Sequence, residues 1–310
     1  LHFSKYHGLG NDFIIADLRS QPALCAQQLA QWSALARAAC DRRTGIGADG
    51  LLLIEPVSPS PTLASTDAAP CQMRVINSDG SDGGMCGNGI RCVAHMLVAR
   101  RHAADASSPV QQPLRILAGG SVRAVEVKSP CTPLGAAVRV AMGSATIALH
   151  REPIALLLPE LAAEIAIAVG PGARCSIVDV GNPHLVIEGK KLPGDSALAL
   201  LGPRIERHPA FPNRTNVQCV MQESPTVAHV RTWERGSGIT QACGTGACAV
   251  GATLATDALA TFAIELAGGA LHIECSPRTS KGARASVASI HMTGPAAWVF
   301  DGILPLPHAP

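Results

Sequence analysis

Aromatic side chains are scarce in this chain. Trp, Tyr and Phe make up 3% of it against 47% hydrophobic residues overall, so its core has to be aliphatic and alanine-rich. An excess of one charge is also missing: the net charge is +2, and Lys and Arg are scattered, which leaves no electrostatic footprint for nucleic acid. Uninterrupted apolar runs are absent too. The stretches Ile154 to Val169 and Ala242 to Ile264 are broken by Glu160, Glu164 or Asp257 and do not read as membrane spans. The opening residues show no charged segment leading into an apolar one. Eleven cysteines are present, but no C-x-x-C pair, so neither a zinc ribbon nor a thioredoxin-type motif is supported. An odd number of cysteines in a chain too large to need staples reads as free thiols in a reducing cytoplasm. Cys25, Cys40, Cys71, Cys131, Cys175, Cys219 and Cys275 read as small core residues, as do Cys92 and Cys248.

Two cysteines stand apart because each opens the same phrase, Cys86-Gly87-Asn88-Gly89 and Cys243-Gly244-Thr245-Gly246. Each is followed by an apolar-and-small run without proline, which predicts a buried helix behind a glycine-rich turn. A thiol at a helix N-terminus faces free N–H groups and the positive end of the dipole. Its pKa is therefore expected to fall from about 8.5 into the range of roughly 3.5–7.5. The duplication extends outward. Nine positions before each cysteine lie Asn77, in Asn77-Ser78-Asp79-Gly80-Ser81, and Glu234, in Glu234-Arg235-Gly236-Ser237-Gly238, each after a strand-like run. A second echo pairs Gly10-Asn11-Asp12-Phe13 with Gly181-Asn182-Pro183-His184. Two divergent copies of one domain would place the thiols on opposite walls of a single cleft.

At 310 residues the chain is long enough for two such domains. Strands are expected at about Phe3–Tyr6, Phe13–Asp17, Gly50–Glu55, Gln72–Asn77, Leu114–Leu117, Val122–Val127 and Ala137–Met142, with a helix over Pro22 to Ala39. Alternation resumes at Arg174 and ends in strands at Leu271–Cys275, Ala285–Met292 and Ala297–Asp301. The fold class is α+β: mostly antiparallel sheet wrapped around one central helix per lobe. Pro56–Pro70 reads as a surface insertion, Ala103–Pro113 and Pro277–Arg284 as loops, and the tail from Leu304 as poorly ordered.

Taken together, these blocks resemble the diaminopimelate epimerases. The match rests on His7-Gly8-Leu9-Gly10-Asn11-Asp12-Phe13, the Asn77 and Cys86 blocks through Arg91, Gly181-Asn182-Pro183-His184, Asn213-Arg214-Thr215-Asn216, and Glu234-Arg235-Gly236 leading to Ala242-Cys243-Gly244-Thr245-Gly246. The resemblance implies two pseudo-symmetric lobes, 1–141 plus 297–310 and 142–296, with the active site in the cleft between them. It implies epimerisation of LL-diaminopimelate to the meso isomer, on the route to lysine and peptidoglycan precursors, with no pyridoxal phosphate, other cofactor or metal. Neither nucleic acid nor membrane is an expected partner, and monomer and homodimer both remain open.

The residues suit that chemistry. Inversion at an α-carbon needs a base on one face and an acid on the other, and the thiols of Cys86 and Cys243 supply both. The N–H groups of Gly87, Asn88, Gly244 and Thr245 are placed to hold the α-carboxylate. By the resemblance, Asn77, Asn182, Asn216 and Arg235 contact the distal carboxylate, Glu234 helps to hold the distal ammonium, and Asn11 lies beside the reacting centre. His184 and Glu234 tune the thiols. Two positions depart from the family pattern: Gly50 stands where Gln is common, and Gly236-Ser237-Gly238-Ile239-Thr240 replaces Gly-x-Gly-Glu-Thr. Three other readings of the thiols remain: a related racemase acting on another amino acid, a thiol redox protein, and two cysteines that only pack within the helices.

Overall fold

The structure is a computed structural model that describes residues 1–25, 27–57, 71–104, 113–128, 130–281 and 284–305. The chain forms two compact units, Leu1–Val140 with Gly294–Pro310, and Ala141–Thr293.

The first unit holds β1 (His2–Gly8), β2 (Asn11–Asp17), α1 (Pro22–Cys25), α2 (Leu29–Cys40), β3 (Gly50–Glu55), β4 (Cys71–Asn77), α3 (Gly87–Ala104), β5 (Leu114–Ala118) and β6 (Ser121–Val127). It also takes the start of β7 (Gly135–Pro153) and the end of β16 (Arg284–Ile303). The rest of those two strands belongs to the second unit. That unit adds α4 (Ile154–Leu157), α5 (Ala162–Val169), β8 (Arg174–Asp179), β9 (Pro183–Gly189), α6 (Asp195–Glu206), β10 (Asn216–Ser224) and β11 (Val227–Glu234). It is completed by β12 (Gly238–Thr240), α7 (Gly244–Leu254), β13 (Ala260–Leu266), β14 (Gly269–Cys275) and β15 (Arg278–Lys281).

The internal duplication is visible in the strand pairing. Reading from β16 through β1 to β7, the steps are antiparallel, antiparallel, parallel, antiparallel, parallel, antiparallel and antiparallel. Reading from β7 through β8, β9, β10, β11, β13 and β14 to β16, the same order recurs. A parallel step cannot be closed by a tight turn and needs a crossover. Helices supply it each time: α1 and α2 or α6 at the first parallel step, and α3 or α7 at the second. So α3 and α7 occupy equivalent places, and each starts directly after one of the two distinctive cysteines.

Both helices are buried by their small and aliphatic side chains. In α3, Ile90, Cys92, Val93, Ala94, Met96 and Val98 are buried; in α7 every residue is buried except Thr245. A methyl group on Gly251 would lie 2.6 Å from the Ile273 side chain on β14, so that glycine lets α7 settle directly on the sheet.

Several expectations are corrected. The helix foreseen from Pro22 is broken after Cys25 and restarts at Leu29. Arg278–Lys281 is a strand hydrogen-bonded to β16, not loop. Ala285–Met292 and Ala297–Asp301 are one long strand, and helices α4 to α6 add to the single helix expected in the second unit. Residues 58–70, 105–112 and 306–310, where the insertion, one loop and the tail were placed, lie outside the described residues. No helix among the described residues is long and apolar enough to cross a membrane.

Candidate active site

In the first unit, Cys86 precedes α3 and its carbonyl accepts from Ile90 N–H at 3.0 Å, which makes it the N-cap. Its sulfur accepts from Gly89 N–H at 3.3 Å. A Cβ on Gly89 would sit 3.4 Å from that sulfur and 3.0 Å from the Leu52 methyl. The turn that delivers Asn11 is tight: Leu9 and Gly10 both have positive φ, 58° and 82°, as a two-residue hairpin requires.

From there a chain of polar contacts fixes the helix entrance. Buried Arg91 donates to Asn88 Oδ1 at 2.8 Å, so the amide of Asn88 has only one possible orientation; its Nδ2 then donates to Asn11 Oδ1 at 3.1 Å. Asn11 in turn donates to Asp49 Oδ2 at 2.7 Å, and Arg42 bridges Asp49 and Asp12 at 2.8 and 2.7 Å. Burial opposes ionisation of Asp12, but Arg42 and Lys5 outweigh it and hold this carboxyl down at about 2. Asn77 is occupied locally, donating to Ser81 Oγ at 2.9 Å.

In the second unit, Cys243 caps α7 in the same way. Gly246 N–H donates to its sulfur at 3.3 Å, and Thr245 Oγ1 lies 3.6 Å away. The N–H groups of Gly244 and Thr245 make no hydrogen bond among the described residues, which leaves two donors at the helix start. Glu234, at the end of β11, accepts a hydrogen bond from the Thr240 hydroxyl at 2.6 Å, and its carboxylate acts on the Cys243 thiol. The acidic thiol expected from the helix terminus is not what this environment makes. Burial first and the Glu234 carboxylate second push Cys243 well above its ordinary value, against the opposing pull of Thr245 and Gly246. Cys243 therefore stands protonated.

His184 is fully buried, with Nδ1 3.0 Å from Gln218 Oε1 and Nε2 2.9 Å from Asn182 Oδ1. Asn182 Nδ2 reaches Thr245 Oγ1 at 3.4 Å. Asn216 accepts from Arg235 N–H at 2.9 Å and donates to Pro183 O at 2.9 Å, so it ties the two loops together. The guanidinium of Arg235 is exposed and donates to Asn213 O at 2.9 Å, with no carboxylate in ion-pair range among the described residues. The structure thus gathers Asn11, Cys86, Gly87 and Asn88 in one cluster and Asn182, His184, Asn216, Glu234, Arg235, Cys243, Gly244 and Thr245 in another.

Burial holds the His184 ring down at about 4, reinforced by Arg235 and opposed by Asp179. Its folded pKa is below the unfolded value of about 6.5, so its contribution to stability is complete above that value and is lost as pH falls towards 4. Urea unfolding between pH 7 and 5 should lose up to about 1.4 kcal/mol per pH unit through this residue. His184→Gln should flatten that slope, and identical slopes would show that the ring does not titrate on unfolding.

Residues 3–148 and 176–299 match the family model described as diaminopimelate epimerase. The chain belongs to the diaminopimelate epimerase family. A diaminopimelate epimerase of Heliobacterium modesticaldum is 38% identical over 310 residues, 99% of this chain and 100% of that one. One from a Synechococcus strain is 39% identical over 97% of both. Among solved structures, a Bacillus anthracis phenazine biosynthesis protein of the PhzF family shares the fold, with a TM-score of 0.64 at 14% identity over 98% of this chain and 99% of that one. So does a hydroxyproline epimerase of Agrobacterium vitis with bound trans-4-hydroxy-L-proline, at a TM-score of 0.64 and 15% identity over 97% and 91%.

The two departures from the family pattern have physical counterparts. A Cβ at Gly50 would lie 2.9 Å from Ile76 O, so the close approach of β3 to β4 suits glycine at this position. Ile239 packs against the hydrophobic core of the second unit. Cys92, Cys219 and Cys275 are pushed up to about 12 and Cys40, Cys71 and Cys175 to about 11 by burial, which makes them inert. Cys25 and Cys131 are only half-buried, a departure from the core role expected of them. Gln218 was missed by sequence reasoning. Its signal is position: a Gln inside Val217-Gln218-Cys219-Val220 has no solvent-facing side to occupy.

Proposed function

We propose that this protein is an isomerase that inverts one α-carbon of diaminopimelate, from LL to meso, with Cys86 and Cys243 as paired proton carriers and without a cofactor. The observation that carries this reading is the repeated device. Each unit ends a strand, turns, and sets one cysteine as the cap of its central helix with a backbone N–H aimed at the sulfur. One such thiol per duplicated unit suits a reaction that needs one group for each face of a carbon.

In the direction that starts with Cys243 protonated, Cys86 takes the α-proton as thiolate and Cys243 delivers its proton to the opposite face. In the reverse direction the roles exchange, and Glu234 is placed to accept the hydrogen bond of whichever proton Cys243 carries. The N–H groups of Gly244 and Thr245 hold the α-carboxylate and take up charge as the carbanion-like state forms, with those of Gly87 and Asn88 completing the cradle. Arg235 has a free face for the distal carboxylate, and Asn216 positions its backbone. The free thiols suit a reducing cytoplasm.

The test is incubation under reducing conditions with LL-diaminopimelate, L-proline, trans-4-hydroxy-L-proline and L-histidine, following each by chiral chromatography. Inversion of diaminopimelate alone is expected. Faster inversion of a cyclic amino acid would move the protein to a racemase of another substrate.

A further inference from the structure

The hydrogen bonds around His184 do not balance as the side-chain amides are placed. A neutral imidazole has one N–H, yet carbonyl oxygens face both of its nitrogens, Gln218 Oε1 at 3.0 Å and Asn182 Oδ1 at 2.9 Å. Meanwhile Gln218 Nε2 is buried with no acceptor among the described residues. It is held against the first turn of α7, where a Cβ on Gly246 would lie 2.7 Å from it. Amide oxygen and nitrogen have nearly the same shape, so the network decides their assignment.

Exchanging the two ends of Gln218 removes both faults together, since the orphaned N–H₂ finds His184 Nδ1 and the single imidazole proton goes to Nε2, and it leaves a buried carbonyl, the cheaper group to leave unpaired, in the vacated position. Exchanging Asn182 instead leaves the buried donor orphaned and turns a carbonyl towards Thr245, which would draw that hydroxyl's proton away from Cys243. A buried donor without a partner is the costlier fault.

We propose that Gln218 fixes His184 as its Nε2–H tautomer and so orients a one-way run of donors that ends on the Cys243 sulfur. Gln218 Nε2 donates to His184 Nδ1, His184 Nε2 to Asn182 Oδ1, Asn182 Nδ2 to Thr245 Oγ1 at 3.4 Å, and the Thr245 hydroxyl to Cys243 Sγ at 3.6 Å. With Gly246 N–H at 3.3 Å the sulfur then receives two donors, which favour the thiolate against the burial and the Glu234 carboxylate that oppose it. The charged groups that act on this run are Asp179 at the end of β8, Glu234 at the end of β11, and Arg235 beside it. Gln218 and Asn182 are positioning residues here, acting through Thr245. The run gives Asn182 a task at the thiol end of the site in addition to the distal contact expected of it. Its meaning for catalysis rests on Cys243 being a proton carrier, whereas the tautomer itself can be read without substrate.

Two measurements on the full chain test this. Imidazole ¹⁵N spectra of the wild-type protein should show His184 protonated on Nε2 and bare on Nδ1; an Nδ1–H or doubly protonated ring would overturn the assignment whatever the substrate proves to be. In Gln218→Met, which keeps the side-chain length and removes both amide groups, that single tautomer should be lost. The ¹³Cβ titration midpoint of Cys243 should rise by at least about half a pH unit, and an unchanged midpoint would show that the run does not reach the sulfur. If Gln218→Met does not fold, the wild-type spectrum still decides the direction of both bonds at His184, on which the assignment stands.

Discussion

Replacing either Cys86 or Cys243 by alanine is expected to reduce inversion of diaminopimelate by at least about 100-fold in both directions, the scale of a lost general acid or base. Both directions suffer because microscopic reversibility requires the two groups each way. The remaining thiol still works on its own face. In deuterated water each variant should therefore exchange the α-proton of one isomer without inverting it, and the two variants should prefer opposite isomers. Chiral chromatography with mass detection reads inversion and deuterium content from the same sample. Near wild-type inversion in either variant would end the two-thiol reading.

Arg235→Leu is expected to lower kcat/KM for diaminopimelate by at least about 30-fold, corresponding to the ~2 kcal/mol lower end for an unpaired buried charge. The guanidinium is exposed with one N–H committed to Asn213 O, so its remaining donors are available to a carboxylate fork. The substrate's distal carboxylate, not the fold, would lose its partner. The exchange of deuterium by the thiols should accordingly survive at saturating substrate, and the loss should appear mainly in KM. An unchanged kcat/KM would make Arg235 a surface cation only.

Much of this architecture is legible in the sequence, for identifiable reasons. The two central helices announce themselves because each is an apolar-and-small run without proline behind a cysteine and glycines, and the first-unit strands because their short apolar runs are bounded by turn residues. Helix α2 was read as continuous with α1 because alanine, glutamine and leucine all favour helix and no proline intervenes. Yet Gln28 is extended, with φ −68° and ψ 150°, and caps a new helix. The strand expected over Ala137–Met142 runs on to Pro153 as β7, through Gly143 with its φ of 95°, because pairing with the strands of both units carries it past the glycine. The acidity of Cys243 was misjudged for a similar reason. A helix terminus is a local signal, whereas the burial and the Glu234 carboxylate that overrule it come from tertiary packing. Gln218 illustrates the same limit, since a glutamine becomes informative only when both sides of its strand are known to be covered.

The way β7 and β16 are shared between the units sets an order of assembly. The chain leaves the first unit within β7, completes the second as one contiguous stretch, and returns within β16. The second unit can form as soon as its own residues are available. The first cannot, because β1 finds its outer neighbour only when the closing strand arrives, and Leu1 bonds in both directions to Leu304, 303 positions along. During synthesis the half that begins first must finish last, with one edge of its sheet open until then to pairing with other chains.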